Sequence, residues 1–137
     1  TYVPMAKWPM LLTGNFRCLR EGAPVSIAEA VLEDIDSSKS VYTWVDELCR
    51  ELIPVAQRAG DIPFVSFERY CAAAGSLVYP SSVARGLASG ATRVERVDRL
   101  IQLLGRAAGK RHHMVDAMVQ DVDRRLAKNL AAGEKGK

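Results

Sequence analysis

His112 and Asp116 stand four residues apart, the spacing that puts two potential metal ligands on one face of a helix. A catalytic zinc takes three protein ligands, and no Cys/His cluster supplies the third, so an exposed histidine pair, His112 and His113, at a helix start is the better reading. Nucleophilic chemistry finds no more support, because neither a GxSxG elbow nor a flanked catalytic cysteine is present. Cys18, Cys49 and Cys71 are widely spaced, odd in number and form no CxxC pair, which argues against both a disulfide framework and a zinc site. They are expected to be reduced core residues, a usage that favours a reducing intracellular compartment, the cytoplasm or an organelle matrix. The run from Gly105 to Arg111 has the composition of a phosphate-binding loop. Its glycine spacing is one short, no Ser or Thr follows Lys110, and a helix precedes it where a strand is required. No catalytic, metal-ligating or cofactor-binding residue is therefore assigned, no cofactor is expected, and a non-enzymatic role is favoured.

Arginines give the next pattern. From Ser82 to Leu100, Val83, Ala84 and Leu87 could pack one helix and Val94 and Val97 a second, leaving Arg93, Arg96 and Arg99 for phosphates or base edges in the manner of a helix-turn-helix. That motif favours glycine about four residues after the alanine, whereas Ala88 holds the place and Gly90 follows later. Glu95 precedes Arg99, and Asp121 precedes Arg125, by four residues, so local ion pairing competes with any partner. No Tyr or Trp occurs after Tyr79 to stack on bases, which disfavours single-strand binding. Charge is polarised along the chain. Through Ala84 there are seven Lys/Arg against ten Asp/Glu, a balance of −3, and from Arg85 onward twelve against six, a balance of +6. The basic half suits an acidic partner without choosing among nucleic acid, protein and anionic lipid.

The elements that must hold these residues read as helices. Ser26 and Glu29 form a capping-box pattern ahead of Ile27, Ala30, Val31 and Ile35, predicting a first helix that ends near Ser37. A second, from about Ser40, aligns Val41, Trp44, Val45, Leu48, Leu52 and Val55, with a kink or early stop expected at Pro54 and closure at Gly60. Phe64, Phe67, Tyr70, Cys71 and Ala74 form a third stripe ending at Gly75. A short fourth helix follows Pro80 and finishes at Gly90. Thr92 and Glu95 then repeat the capping box for a fifth helix carrying Val94, Val97, Leu100, Ile101, Leu104 and Ala108. A sixth runs from about Lys110 to Leu130. No segment alternates with a two-residue period, and no run is long and apolar enough for a membrane span. The expectation is an all-α fold, a single-domain bundle of about five to six helices over 24–131, with a flexible polar tail at 132–137. Residues 1–23 carry Pro4, Pro9, Gly14 and Gly22 and read as an extended N-terminal arm, whose Trp8, Met10, Leu11, Leu12 and Phe16 need a surface to lie on.

One short segment, Phe67 to Ala84 with Tyr70-Cys71 and Gly75, resembles part of the squalene/phytoene synthases. That resemblance implies diphosphate binding through magnesium and paired aspartates. Gly75 is one position out of register, and Asp116, Asp121 and Asp123 do not make the paired motif, so the family is not assigned. The expected function is a non-catalytic helical subunit or protein-protein interaction domain of a larger complex, docking a protein partner or a second copy through the arm. The alternative is a helix-turn-helix-like nucleic-acid-binding domain using Arg93, Arg96 and Arg99. An enzyme acting on a phosphorylated substrate through Asp116 and Asp121 ranks third.

Overall fold

Proline and glycine near the start of the chain do not prevent it from coiling. The computed structural model describes residues 3–53 and 64–135. In it, helix α1 (Val3–Met10) runs into a π-helical turn (Leu11–Asn15) and a 3-10 turn (Phe16–Cys18). The extended arm is thereby corrected: residues 3–18 are helical, and Leu12 and Phe16 lie in the main core with Val41, Val45, Leu48 and Cys49 of helix α3 (Ile35–Leu52). Met5 and Trp8 pack against the same cluster, so apolar side chains recur at three and four residues straight through the prolines. Pro9 has no N–H to give the Met5 carbonyl, and the Cys49 thiol reaches that oxygen at 3.7 Å. Further along, the carbonyls of Thr13, Gly14 and Asn15 accept from Arg17, the Cys18 thiol and the Ser81 hydroxyl, while Met10 accepts from Tyr70. Side chains thus satisfy the backbone that the irregular turns leave open, which is the condition for burying such a segment.

Helix α2 (Ile27–Leu32) begins as its capping box predicts, with Ser26 Oγ accepting from the Glu29 N–H at 3.1 Å. It ends earlier than expected. Asp34 accepts from both the N–H and the hydroxyl of Ser37, so α3 starts at Ile35 instead of Ser40. Those bonds hold the Asp34 carboxyl below the usual carboxylate range. Helix α3 stops at Leu52 with Ile53 extended; Pro54, Val55 and Gly60, where a kink and closure were expected, lie outside the described residues. Ser66 caps helix α4 (Phe67–Ala74). On α4, Tyr70 stacks on Tyr42 in a second apolar cluster with Val31 and Phe67.

Helices α5 (Ser82–Ala88) and α6 (Val97–Ala107) both end on glycine. Gly90 (φ 99°) and Gly109 (φ 73°) take left-handed backbone, and the following N–H groups, of Ala91 and Lys110, return to the carbonyls of Gly86 and Gly105. Helix α7 (His113–Lys135) extends into the expected tail, so 132–135 are helical and only 136–137 fall outside the described residues. The described residues form seven α-helices and no strand, and none of the helices is long and apolar enough to cross a membrane. The helix beyond the expected count is α1.

Candidate functional site

Helix α6 opens at Val97, without the capping box expected at Thr92, and its N-cap residue Arg96 makes no side-chain cap. Its guanidinium grips the Asp98 carboxylate at 3.0 and 3.1 Å, reaches Asp123 on α7 at 2.6 Å and touches the Val119 carbonyl at 3.4 Å. Asp98 is fully buried, so this two-pronged pair, closed by Asp123, ties the start of α6 to α7. Burial works against the charged form of Arg96, and its hydrogen bonds to Asp98 and Asp123 outweigh it, holding its pKa above the usual arginine value. Arg93 sits exposed in the connection 89–96, and Arg99 sits exposed on α6 beside Gln102, Arg106, Asp116 and Asp123. The three arginines therefore do not form one free stripe. The connection is also longer than the three- to four-residue turn of a helix-turn-helix. Of the two expected ion pairs, Asp121–Arg125 forms at 2.8 Å, with Arg124 on the other carboxylate oxygen at 2.5 Å. Glu95 precedes the helix, so it has no helical register with Arg99.

His112 is hydrogen-bonded through both ring nitrogens. Its Nδ1 accepts the Met114 N–H at 3.1 Å, capping α7, so the ring proton is on Nε2, which donates to Ser40 Oγ at 2.9 Å. A Ser-His nucleophilic pair needs the reverse, a ring nitrogen accepting from the hydroxyl with a carboxylate on the other side. Asp116 instead accepts from Gln102 at 2.9 Å and approaches Arg106 at 3.9 Å. Burial, with help from His113, lowers the His112 pKa below its ordinary value and favours this neutral form. Among the described residues no group of three or more His, Cys, Asp or Glu gathers as metal ligands. The Cys18 and Cys49 thiols are buried donors, and burial pushes Cys49 up to about 12, far from a reactive thiolate.

The side chains expected to dock on a partner are largely spent on the chain's own interior. Leu12 and Phe16 are buried, and Trp8 and Met10 are half-buried against the two core clusters. Leu11 is half-buried and, with Phe16, Val83, Val94 and Val97, lines a cavity of about 310 Å³. Exposed apolar side chains occur at Leu52, at Leu100 and Leu103 of α6, at Leu130 of α7 and, as three in a row, on the 75–80 connection. Leu77, Val78 and Tyr79 are consecutive and 43%, 62% and 75% exposed. Their backbone is not loose: the Leu77 and Tyr79 carbonyls accept from Ala28 and Ile27 at 2.9 and 3.1 Å, completing the open N-terminus of α2. Leu32 and Ile35 are exposed at the other end of α2, and the backbone at Gly75 approaches Leu32. Glu29, Glu33, Asp34 and Asp36, all exposed, interleave with these side chains. Sequence reading missed this ridge because three apolar residues without periodicity carry no helical signal; the cue is their position immediately before Pro80, in a run with no helical stripe to absorb them. Comparison of the chain with protein-family profiles, with curated proteins and with solved structures finds no match.

Proposed function

We propose that this chain is a helical protein-interaction domain serving as a non-catalytic subunit of a larger assembly, and that it meets its protein partner through the Leu77-Val78-Tyr79 ridge. The observation that carries this reading is an ordered segment, pinned by its carbonyls to α2, that holds three consecutive apolar side chains in solvent. Water-facing side chains of this size held on fixed backbone lose little conformational freedom on docking, and tyrosine is among the residues that concentrate binding energy in interfaces. Glu29, Glu33, Asp34 and Asp36, exposed along and just after α2, favour a partner that carries basic groups near its contact face. The nucleic-acid alternative through Arg93, Arg96 and Arg99 would require Arg96 to leave Asp98 uncompensated in the interior.

The test is purification of the protein from its native source at low micromolar concentration, beside a Val78→Asp variant. Co-elution of the wild-type chain with a partner protein, lost in the variant at unchanged thermal stability, supports the reading. A strictly monomeric, partner-free wild-type species overturns it.

A further inference from the structure

On the face of α7 that meets the 20–22 loop, a cavity of about 470 Å³ is lined by Arg20, Glu21, Arg124, Arg125, Lys128 and Asn129, with the end of α5 as its back wall. Its volume falls in the range of small-molecule sites. Four cationic side chains from two separate parts of the chain converge there; Arg20 donates to the Arg17 and Leu19 carbonyls and to Glu33, while Arg124 gives one nitrogen to Asp121. Asn129 Nδ2 donates to the Leu87 and Ala91 carbonyls at 3.0 and 2.8 Å, taking up the oxygens at the end of α5 that would repel an anion. Arg125 does the same for the Arg20 carbonyl at 2.9 Å while its Nε is held by Asp121 at 2.8 Å, so its guanidinium is fixed in orientation with its third nitrogen unpaired among the described residues. Lys128 has no ion-pair partner among the described residues. The opposing charges are Glu21 in the lining, Asp121 shared by Arg124 and Arg125, and exposed Glu33 at 3.4 Å from Arg20. Four cations against these three carboxylates leave a balance of one positive charge; Asp121 and Glu33 pair with the guanidinium groups of Arg124, Arg125 and Arg20, and Glu21 lines the cavity.

We propose that this cavity is a binding site for a small molecule bearing more than one phosphate group, held by Arg20, Arg124, Arg125 and Lys128. Guanidinium groups clamp phosphate oxygens with paired hydrogen bonds, and Lys128 adds a point charge that can follow the ligand. Two phosphates are called for because the four cations are spread around a cavity much larger than a single oxyanion. This site is independent of the apolar ridge, so either can fail alone.

Isothermal titration with inorganic pyrophosphate at low ionic strength tests it on the full chain. Three proteins are compared: wild type, Arg124→Gln with Lys128→Gln, and a control carrying Arg99→Gln with Arg106→Gln. All four positions are exposed, so folding is preserved, and a melt without ligand verifies this. The expected result is one site per chain, weakened about tenfold or more in the first double variant through loss of charge-assisted bonds and about twofold or less in the control. Three results overturn the proposal: no binding by the wild type, equal weakening in both double variants, which marks diffuse attraction, or binding of duplex DNA or anionic phospholipid vesicles that pyrophosphate does not displace.

Discussion

Replacing Arg96 by methionine keeps the aliphatic stem and deletes the guanidinium. Asp98, with no exposed surface, then loses both of its charge-assisted hydrogen bonds. Removing one partner of a buried pair costs about 3–5 kcal/mol. Two features of this site reduce that. Asp98 stands in the first turn of α6, where the helix dipole returns up to about 1 kcal/mol to a carboxylate, and Arg96 keeps 20% of its side chain in water, so the pair is screened on one edge. The net expectation is a loss of about 2–4 kcal/mol, a fall in Tm of roughly 6–16 °C for a chain of this size. Urea unfolding followed by circular dichroism measures it, with the slope against denaturant unchanged. Adding Asp98→Asn removes the stranded charge and restores about half of the loss or more, whereas Arg99→Met alone stays within about 0.5 kcal/mol. If Arg96→Met costs no more than Arg99→Met, the α6–α7 clamp is refuted and Arg96 is as free as the arginine spacing alone suggests.

Three further outcomes follow from the same contacts. Gly14→Ala places a Cβ 2.1 Å from Tyr70 Oη and 3.2 Å from Ile27 Cγ2, and Tyr70 is buried and bonded to Met10, so a thermal melt should show a loss of about 1–3 kcal/mol. Gly133→Ala, in the exposed last turns of α7 with nothing within 4 Å, should gain about 0.5–1 kcal/mol by helix propensity in the same assay. The His112 cap sets a pH dependence. Its folded pKa lies below the unfolded value of about 6.5, so the unfolded chain binds more protons between the two. The stability contribution is therefore complete above about pH 6.5 and lost as pH falls through the folded pKa. Urea midpoints should drop over that window and flatten in His112→Asn, which retains a capping acceptor; a midpoint that is flat or rises on acidification in the wild type contradicts the cap.

Much of this architecture is legible in residue spacing. Ser26 with Glu29, and Gly90 and Gly109 with their left-handed backbone, behave as local rules require, since each acts on hydrogen bonds within one turn of itself. Residues 3–18 are misread because Pro9 and Gly14 argue against helix locally, while the compensation comes from residues far along the chain: Cys49 on the Met5 carbonyl, Tyr70 on Met10, Ser81 on Asn15. Tertiary hydrogen bonds overrule the local preference there. The periodicity of Met5, Trp8, Leu12 and Phe16 was available and carried the right message. The capping box at Thr92 does not form: α6 begins at Val97, after Arg96, whose side chain pairs with Asp123 on α7. The basic cavity is illegible in sequence, since Arg20 meets Arg125 over a separation of 105 residues.

Backbone hydrogen exchange, read on the native assembly and on the isolated chain, bears most directly on the claim that the apolar N-terminal segment closes this protein's own core while the 77–79 ridge faces a partner. The amides of residues 11–18 should exchange slowly and equally in both samples, matching Val41 to Cys49 of α3. Those of Val78 and Tyr79, which donate to nothing among the described residues, should slow only in the assembly. Rapid exchange over 11–18 in the isolated chain that becomes slow on assembly, with Val78 and Tyr79 unchanged, would contradict the account and return the docking role to the N-terminal arm.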